Sequence, residues 1–347
     1  MNMRRLSYIA GFIGLAGAIA LVVHQGWGEI IAAIDRAGWP LLWLLPFHAV
    51  PLFIDVIGWR VLLAPRDPHK RATLPFLFWV AAVREASNRL LPVANIGGEI
   101  IGIRLVKWRG IGGAAAAASI IMEVLLTLVN QYLFTALGII LLIELTRNIS
   151  AFSTVISALA ASLPLPIFLI IVLRHGKVFS RLEGFAEKML GGRSKLTELI
   201  DGAGLDLEIR SQYSRPWRLI AACFWQFVGY VVGSFETWLA LRLLGYPISV
   251  GDAIAIEAVT QALRHIIFVV PAGLGVQEGG LVLFGDMIGL PPEASVALSL
   301  VKRMREIGFG VPALISWQWA EARRVYAGAS ASAGSSQSPI SKEKVSS

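Results

Sequence analysis

Apolar residues run along this chain in stretches too long for the half-buried elements of a soluble fold. A helix crossing a hydrocarbon layer about 30 Å thick needs about 20 mostly apolar residues. Six segments meet that length: 6–23, 39–64, 113–145, 151–172, 217–244 and 294–319. Two more, 73–106 and 253–290, are apolar but interrupted midway by Pro and Gly. The pattern predicts an all-α integral membrane protein with six full transmembrane helices and two broken, re-entrant helical hairpins. Arg4, Arg5 and the apolar run behind them also fit a secretory signal peptide ending at Ala18-Ile19-Ala20. The run continues to Val23, and Gly11, Gly14 and Gly17 offer a small packing face, so the segment is read as a span.

Shifting the chain by 179 residues lays the two broken stretches over each other without a gap. Pro92 falls on Pro271, Glu99 on Glu278, Gly110 on Gly289 and Glu123 on Lys302. One copy reads Asn88-Arg89-Leu90-Leu91-Pro92, then Asn95-Ile96-Gly97-Gly98-Glu99. The other reads Pro271-Ala272-Gly273-Leu274-Gly275-Val276-Gln277-Glu278. In each, a proline ends a half-helix, a glycine turn follows, and an acid opens the next half-helix. Non-helical backbone in lipid exposes unpaired N–H and C=O groups at several kcal/mol each, so such a break is tolerated only against protein or a wet cavity. Three full spans separate the copies, an odd number, so the hairpins are expected to enter from opposite faces as an inverted repeat. That plan puts a substrate site near the midplane. Four matches at one chosen offset are also what chance can produce; helix boundaries decide.

Composition agrees with a membrane protein: 56% of the 347 residues are hydrophobic and 16% charged. The formal net charge of +8 would raise nucleic-acid binding in a soluble chain; beside apolar spans it points to anionic inner-leaflet lipid, and no nucleic acid is expected. With the N-terminus inside, 18 of the 31 Lys and Arg lie on the inner side and only Arg36 and Arg147 on the outer. This bias predicts both termini in the cytoplasm. Cys223 is a lone cysteine and leaves nothing for a disulfide framework.

The membrane domain is assigned to residues 1–326, with repeat halves at about 73–145 and 253–320. Trp27, Ile30, Ile31 and Ile34 share one helical face and suggest an outer interfacial helix. In the cytoplasmic amphipathic loop 174–216, Val178, Leu182, Phe185 and Met189 repeat at helical spacing. That helix either lies on the inner leaflet or packs under the bundle. The Ser/Ala/Gly-rich tail 327–347 is expected to be disordered.

Several ionisable residues stand in apolar surroundings, at about 2.5 to 3.5 kcal/mol each on insertion scales, so they must pair or face water. They are Glu99, Arg104 and Glu123 in one half, and Glu236, Glu257, Arg264, Glu278, Lys302, Arg303, Arg305 and Glu306 in the other. Lys302 and Glu306, four apart on one helix, can pair in place, while Arg303, on a different face, can reach Glu99, Glu278 or a ligand if it is aimed inward. The acids either serve a substrate, tie helices together, or cap the second half-helices. The candidate substrate-binding set is Arg89, Asn95, Gly98, Glu99, Arg104, Glu123, Gly275, Gln277, Glu278, Lys302 and Arg303. No catalytic signature, metal-ligand spacing or cofactor motif is found, so neither enzyme activity nor a metal or cofactor is expected.

At Asn88 to Pro92, Gly97-Gly98-Glu99 and Arg104, and at Pro271 to Glu278 with Gly289 and Arg303, the chain resembles the flippase-like transmembrane domain of the lysylphosphatidylglycerol synthases. The likeness is greatest to stand-alone relatives associated with hopanoid biosynthesis, the HpnL family. It covers nearly the whole chain, with Ala272 replacing one glycine of a Pro-Gly-Gly-Leu-Gly pattern. The resemblance implies a bacterial inner-membrane protein handling a hopanoid or polyprenyl-linked lipid. The synthases' soluble domain is missing, so aminoacyl transfer is not implied. Three functions compete: a lipid transporter or flippase; an accessory that binds a lipid and presents it to biosynthetic enzymes; and an enzyme acting on a lipid head through Glu99 and Glu278.

Overall fold

Proline and glycine set most of the helix boundaries. The computed structural model describes residues 37–91, 97–146, 159–190, 201–266 and 275–335, with Asp35 and residues 156–157. A 3-10 turn, Trp39–Trp43, leads into α1 (Leu44–Leu63), and Ala64–Arg66 ends it. Then come α2 (Leu74–Leu90), α3 (Gly97–Lys107), α4 (Gly113–Thr146), α5 (Pro164–His175) and α6 (Val178–Leu190). The chain continues through α7 (Gly202–Tyr213), α8 (Pro216–Leu243), α9 (Val250–Ile266), α10 (Val276–Met287) and α11 (Pro292–Ser335). Proline lies in the first turn of α2, α5 and α8, where its missing N–H has no intrahelical partner to lose. No strand occurs among the described residues.

Among the described residues three stretches are long and apolar enough to cross a membrane: Trp39–Arg66, Gly113–Leu145 and Pro216–Leu243. Leu159–His175 with Val178–Gly184, bent by 77°, makes a fourth if the pair counts as one span. Segment 294–319 lies within the continuous α11, but Lys302, Arg303, Arg305 and Glu306 crowd one stretch of it, and it does not qualify on apolarity. Segment 6–23, the face from Trp27 to Ile34, and the turns 92–96 and 267–274 lie outside the described residues.

Helix boundaries repeat at the offset read from the sequence. Helix α3 starts at 97 and α10 at 276, α4 at 113 and α11 at 292, a difference of 179 in both cases. Gly110 and Gly289, equivalent at that offset, both adopt the left-handed conformation, with φ of 74° and 79°, which glycine alone reaches without strain. Helix α2 packs on α3 and α9 on α10. Helical geometry resumes at Gly97 and Val276, so Glu99 and Glu278 lie in a first helical turn. Helix α11 begins just after α10, and its Arg324 reaches the Trp108 ring just past the end of α3, 4.4 Å from the centroid. The open ends of the two hairpins thus lie at opposite ends of a helix, about 48 Å apart at about 1.5 Å per residue.

Two apolar cores flank the middle of the bundle. One gathers Val56, Trp59, Leu77, Val80, Leu105 and Ile120 from α1 to α4. The other gathers Leu241, Ile256, Leu281, Val296 and Leu298 from α8 to α11. Helices α1 and α8 pack closely through small residues: a Cβ on Gly58 would lie 3.0 Å from the Ala222 carbonyl oxygen. Helix α6 packs on α7, where Asp206 accepts from the backbone N–H groups of Phe179 (3.2 Å) and Ser180 (3.0 Å) and from the Ser180 hydroxyl. Burial opposes ionisation of Asp206, yet these donors and Arg210 outweigh it and hold the carboxyl below its usual range. The tail needs correction: α11 runs to Ser335, past the boundary expected at 326. Alternating alanines at 327, 329, 331 and 333 favour helix there.

Candidate functional site

Between the cores, α1, α2, α4, α8, α9 and α11, with Glu99 of α3, line a cavity of about 300 Å³. It lies at mid-helix depth: Asp55 is 16 residues from Trp39 and 11 from Arg66, and Tyr230 is 14 from Pro216 and 13 from Leu243. Six carboxylates line it, Asp55, Glu85, Glu99, Glu123, Glu236 and Glu257, against four cations, Arg84, Arg89, Lys302 and Arg305, and one imidazole, His48. Removing such groups from water is costly unless they pair, and most of them do.

Arg84 organises the wall nearest the first hairpin. Its guanidinium donates to Glu99 from Nε (2.9 Å) and Nη2, and to Glu123 from Nη1 (2.6 Å), while stacking over Trp59 at 4.9 Å. Asn88 fixes the acid's direction: its Oδ1 accepts from the Gly98 N–H at 2.9 Å and its Nδ2 donates to Glu99 at 3.2 Å. Gly98 is required by this packing, because a Cβ there would overlap the Arg84 carbonyl oxygen and lie 2.7 Å from Asn88 Oδ1.

The opposite wall is built on Glu257, which takes an ion pair from Lys302, the Thr237 hydroxyl at 2.6 Å and Gln261 Nε2 at 2.9 Å. His48 lies between Glu85 (3.0 Å) and Glu236 (3.1 Å), with Arg305 Nε donating to Glu236 at 2.8 Å. Asp55 faces Gly229, and its buried Oδ1 has no hydrogen-bond partner.

Arg89, Glu99, Glu123 and Lys302 of the sequence-derived set therefore line the cavity, with Gly98 supporting them. Gln277, Glu278 and Arg303 form a neighbouring buried cluster. There Arg264 donates to Gln277 Oε1 (2.6 Å), Ser299 to Glu278 Oε1 (3.1 Å), and Arg303 to Glu278 (3.4 Å) and Glu306 (3.2 Å). Glu306 joins cluster and cavity, since Arg89 lies 3.5 Å from it. Gly275, at φ 75°, forms the cap that starts α10. Arg104 points elsewhere: it is 65% exposed and donates to Glu321 at 2.9 Å. Asn95 lies outside the described residues. The Lys302–Glu306 pair that the spacing allows does not form: Lys302 turns to Glu257 on α9, and Glu306 takes Arg303 from its own helix. Among the described residues no group of three or more His, Cys, Asp and Glu side chains is arranged to hold a metal ion.

The family model for the lysylphosphatidylglycerol synthase transmembrane region matches residues 8–313. The chain belongs to that family. No curated protein sequence and no solved structure matches it. For this member of the lysylphosphatidylglycerol synthase transmembrane family, sequence reasoning missed His48, Asp55, Arg84 and Glu85 as cavity residues. Asp55 carried a signal, a lone carboxylate in an apolar span; His48 and Arg84 are recognised only through partners far along the chain.

Proposed function

We propose that this membrane protein moves an amphipathic lipid between leaflets, with the polar head taken into the charged cavity and the tails left in the bilayer. The observation that carries the reading is an acid-rich, partly open cavity at mid-helix depth, lined by residues of both hairpins. Pairing offsets much of the cost of gathering eleven ionisable side chains there, and the six carboxylates against four cations leave an excess that a polar guest can use. The hairpin openings at opposite ends of α11 and the repeated boundaries support an inverted repeat within a six-span plan, the arrangement of many alternating-access transporters. The cation bias supports N-in and C-in insertion in a bacterial inner membrane. The resemblance to the HpnL family extends the reading to a hopanoid or polyprenyl-linked lipid, without catalysis or cofactor.

The test is movement of fluorescent lipid in proteoliposomes, scored by quencher access to each leaflet. Movement faster than in protein-free vesicles supports the proposal. Co-purification of a lipid with no movement favours the accessory that presents lipid to biosynthetic enzymes.

A further inference from the structure

The groups around His48 hold more than a tie between helices. Its Nδ1 lies 3.1 Å from Glu236 Oε2, and its Nε2 lies 3.0 Å from Glu85 Oε2. A neutral imidazole has one N–H and an ionised carboxylate has none, so two such hydrogen bonds need one proton more than the neutral ring and two carboxylates contain. Nε2 also lies 3.2 Å from Arg305 Nη1, a group that only donates. The nitrogen therefore has two mutually exclusive partners. Protonated, it donates to Glu85; unprotonated, it accepts from Arg305.

Charge favours a resident proton. The groups against the ring are Glu85 from α2, Glu236 from α8 and Arg305 from α11, two carboxylates to one fixed cation, and the Phe309 ring closes the site edge-on at 4.9 Å. Farther around the cavity, Arg89 of α2 is drawn to Glu306, Lys302 of α11 to Glu257 of α9, and Arg84 to Glu123 of α4. These cations are engaged and leave the excess acid beside His48 in place. On α1 itself, Asp55 lies two helical turns along and faces the same cavity with an unpartnered oxygen, a second acceptor for a proton leaving the ring.

We propose that His48 Nε2 is the proton-binding site of the cavity, and that exchange of Arg305 for Glu85 as its partner couples lipid movement to a proton gradient. The coupling half rests on the lipid-moving reading; the proton site does not. One N–H bond forms with a proton from water on one side and breaks to water on the other, with no other bond changed.

The proton site is read by nitrogen NMR of the full-length protein in lipid nanodiscs with labelled histidine, His48 being assigned by its disappearance in His48→Gln. Between about pH 5 and about pH 11, Nε2 should pass from the protonated to the unprotonated shift. A single state throughout overturns the proposal. Coupling is read in proteoliposomes as the ratio of labelled-lipid rates with and without an imposed pH gradient. We expect a ratio of about five or more for the native chain and about one for His48→Gln. Equal ratios in both overturn coupling. A native chain whose Nε2 titrates while no lipid moves under any gradient upholds the proton site and sinks the lipid-moving reading.

Discussion

Glu99 and Glu278, 179 residues apart, each lie in the first turn of the second helix of a packed pair, and of the two only Glu99 reaches the cavity. The residue before each acid accounts for the difference. Gly98 leaves room for Asn88, which binds the backbone there and steers Glu99 toward Arg84. At the matching place in the second hairpin stands Gln277, whose side chain is held by Arg264 and Ser299. Glu278 is left among Ser299 and Arg303, buried in protein. A broken helix is thus not a site in itself. One glycine lets the second arm of the first hairpin reach the cavity, and one glutamine holds the matching helix α10 in a packed cluster. Among the described residues, the second hairpin therefore meets the cavity through Glu257 and Gln261 of α9 alone.

The largest effect should come from removing the cation that the first hairpin depends on. Arg84→Met strands Glu99 and Glu123 and should cost about 3 to 5 kcal/mol of stability, seen by thermal unfolding in detergent. Arg264→Met removes a cation whose close partner is the neutral Gln277, with Glu306 at 3.9 Å, and should cost about 1 to 3 kcal/mol. Equal losses would break the comparison.

Glycine substitution sharpens it. Gly98→Ala should cost about 1 to 3 kcal/mol, because backbone and Asn88 stand in the way of the methyl group. Gly279→Ala in the second hairpin meets nothing within 4 Å and should stay within about 0.5 kcal/mol of the native chain. Melting temperatures of the two variants measure the contrast.

A small effect should also appear away from both hairpins. Asp206→Asn weakens the hold of α7 on α6 and should cost about 1 kcal/mol, raising hydrogen exchange at Phe179 and Ser180 without changing lipid movement. Asp206 ionises more readily folded than unfolded. Its contribution is therefore complete above the unfolded range of about 4 and is lost as pH falls through the lower folded value. Exchange at those amides should accordingly rise only in acid.

The hairpins were legible in the sequence because Pro, Gly and the acids are local signals with a fixed spacing. Helix starts at 97 and 276, and at 113 and 292, follow that spacing. The identity of the cavity's partners was not legible, since these contacts join residues far apart: His48 with Glu236, 188 residues away, and with Arg305, 257 away. Local rules misled where tertiary attraction was stronger. Spacing on one helix favoured Lys302 with Glu306, but the buried Glu257 on α9 draws the lysine across. Arg104 shows the converse, an arginine in an apolar stretch that turns out to face the surface.

On the proposed function, Glu99 of the first hairpin handles the lipid head in the cavity. The most direct measurement is the rate of labelled-lipid movement in proteoliposomes for the native chain, Glu99→Gln and Arg104→Gln, each reconstituted at equal density after a check of intact folding. Glu99→Gln keeps the size of the side chain and should lower the rate by about tenfold or more, while Arg104→Gln, outside the cavity, should match the native chain. Undiminished movement by a folded Glu99→Gln protein would contradict the claim.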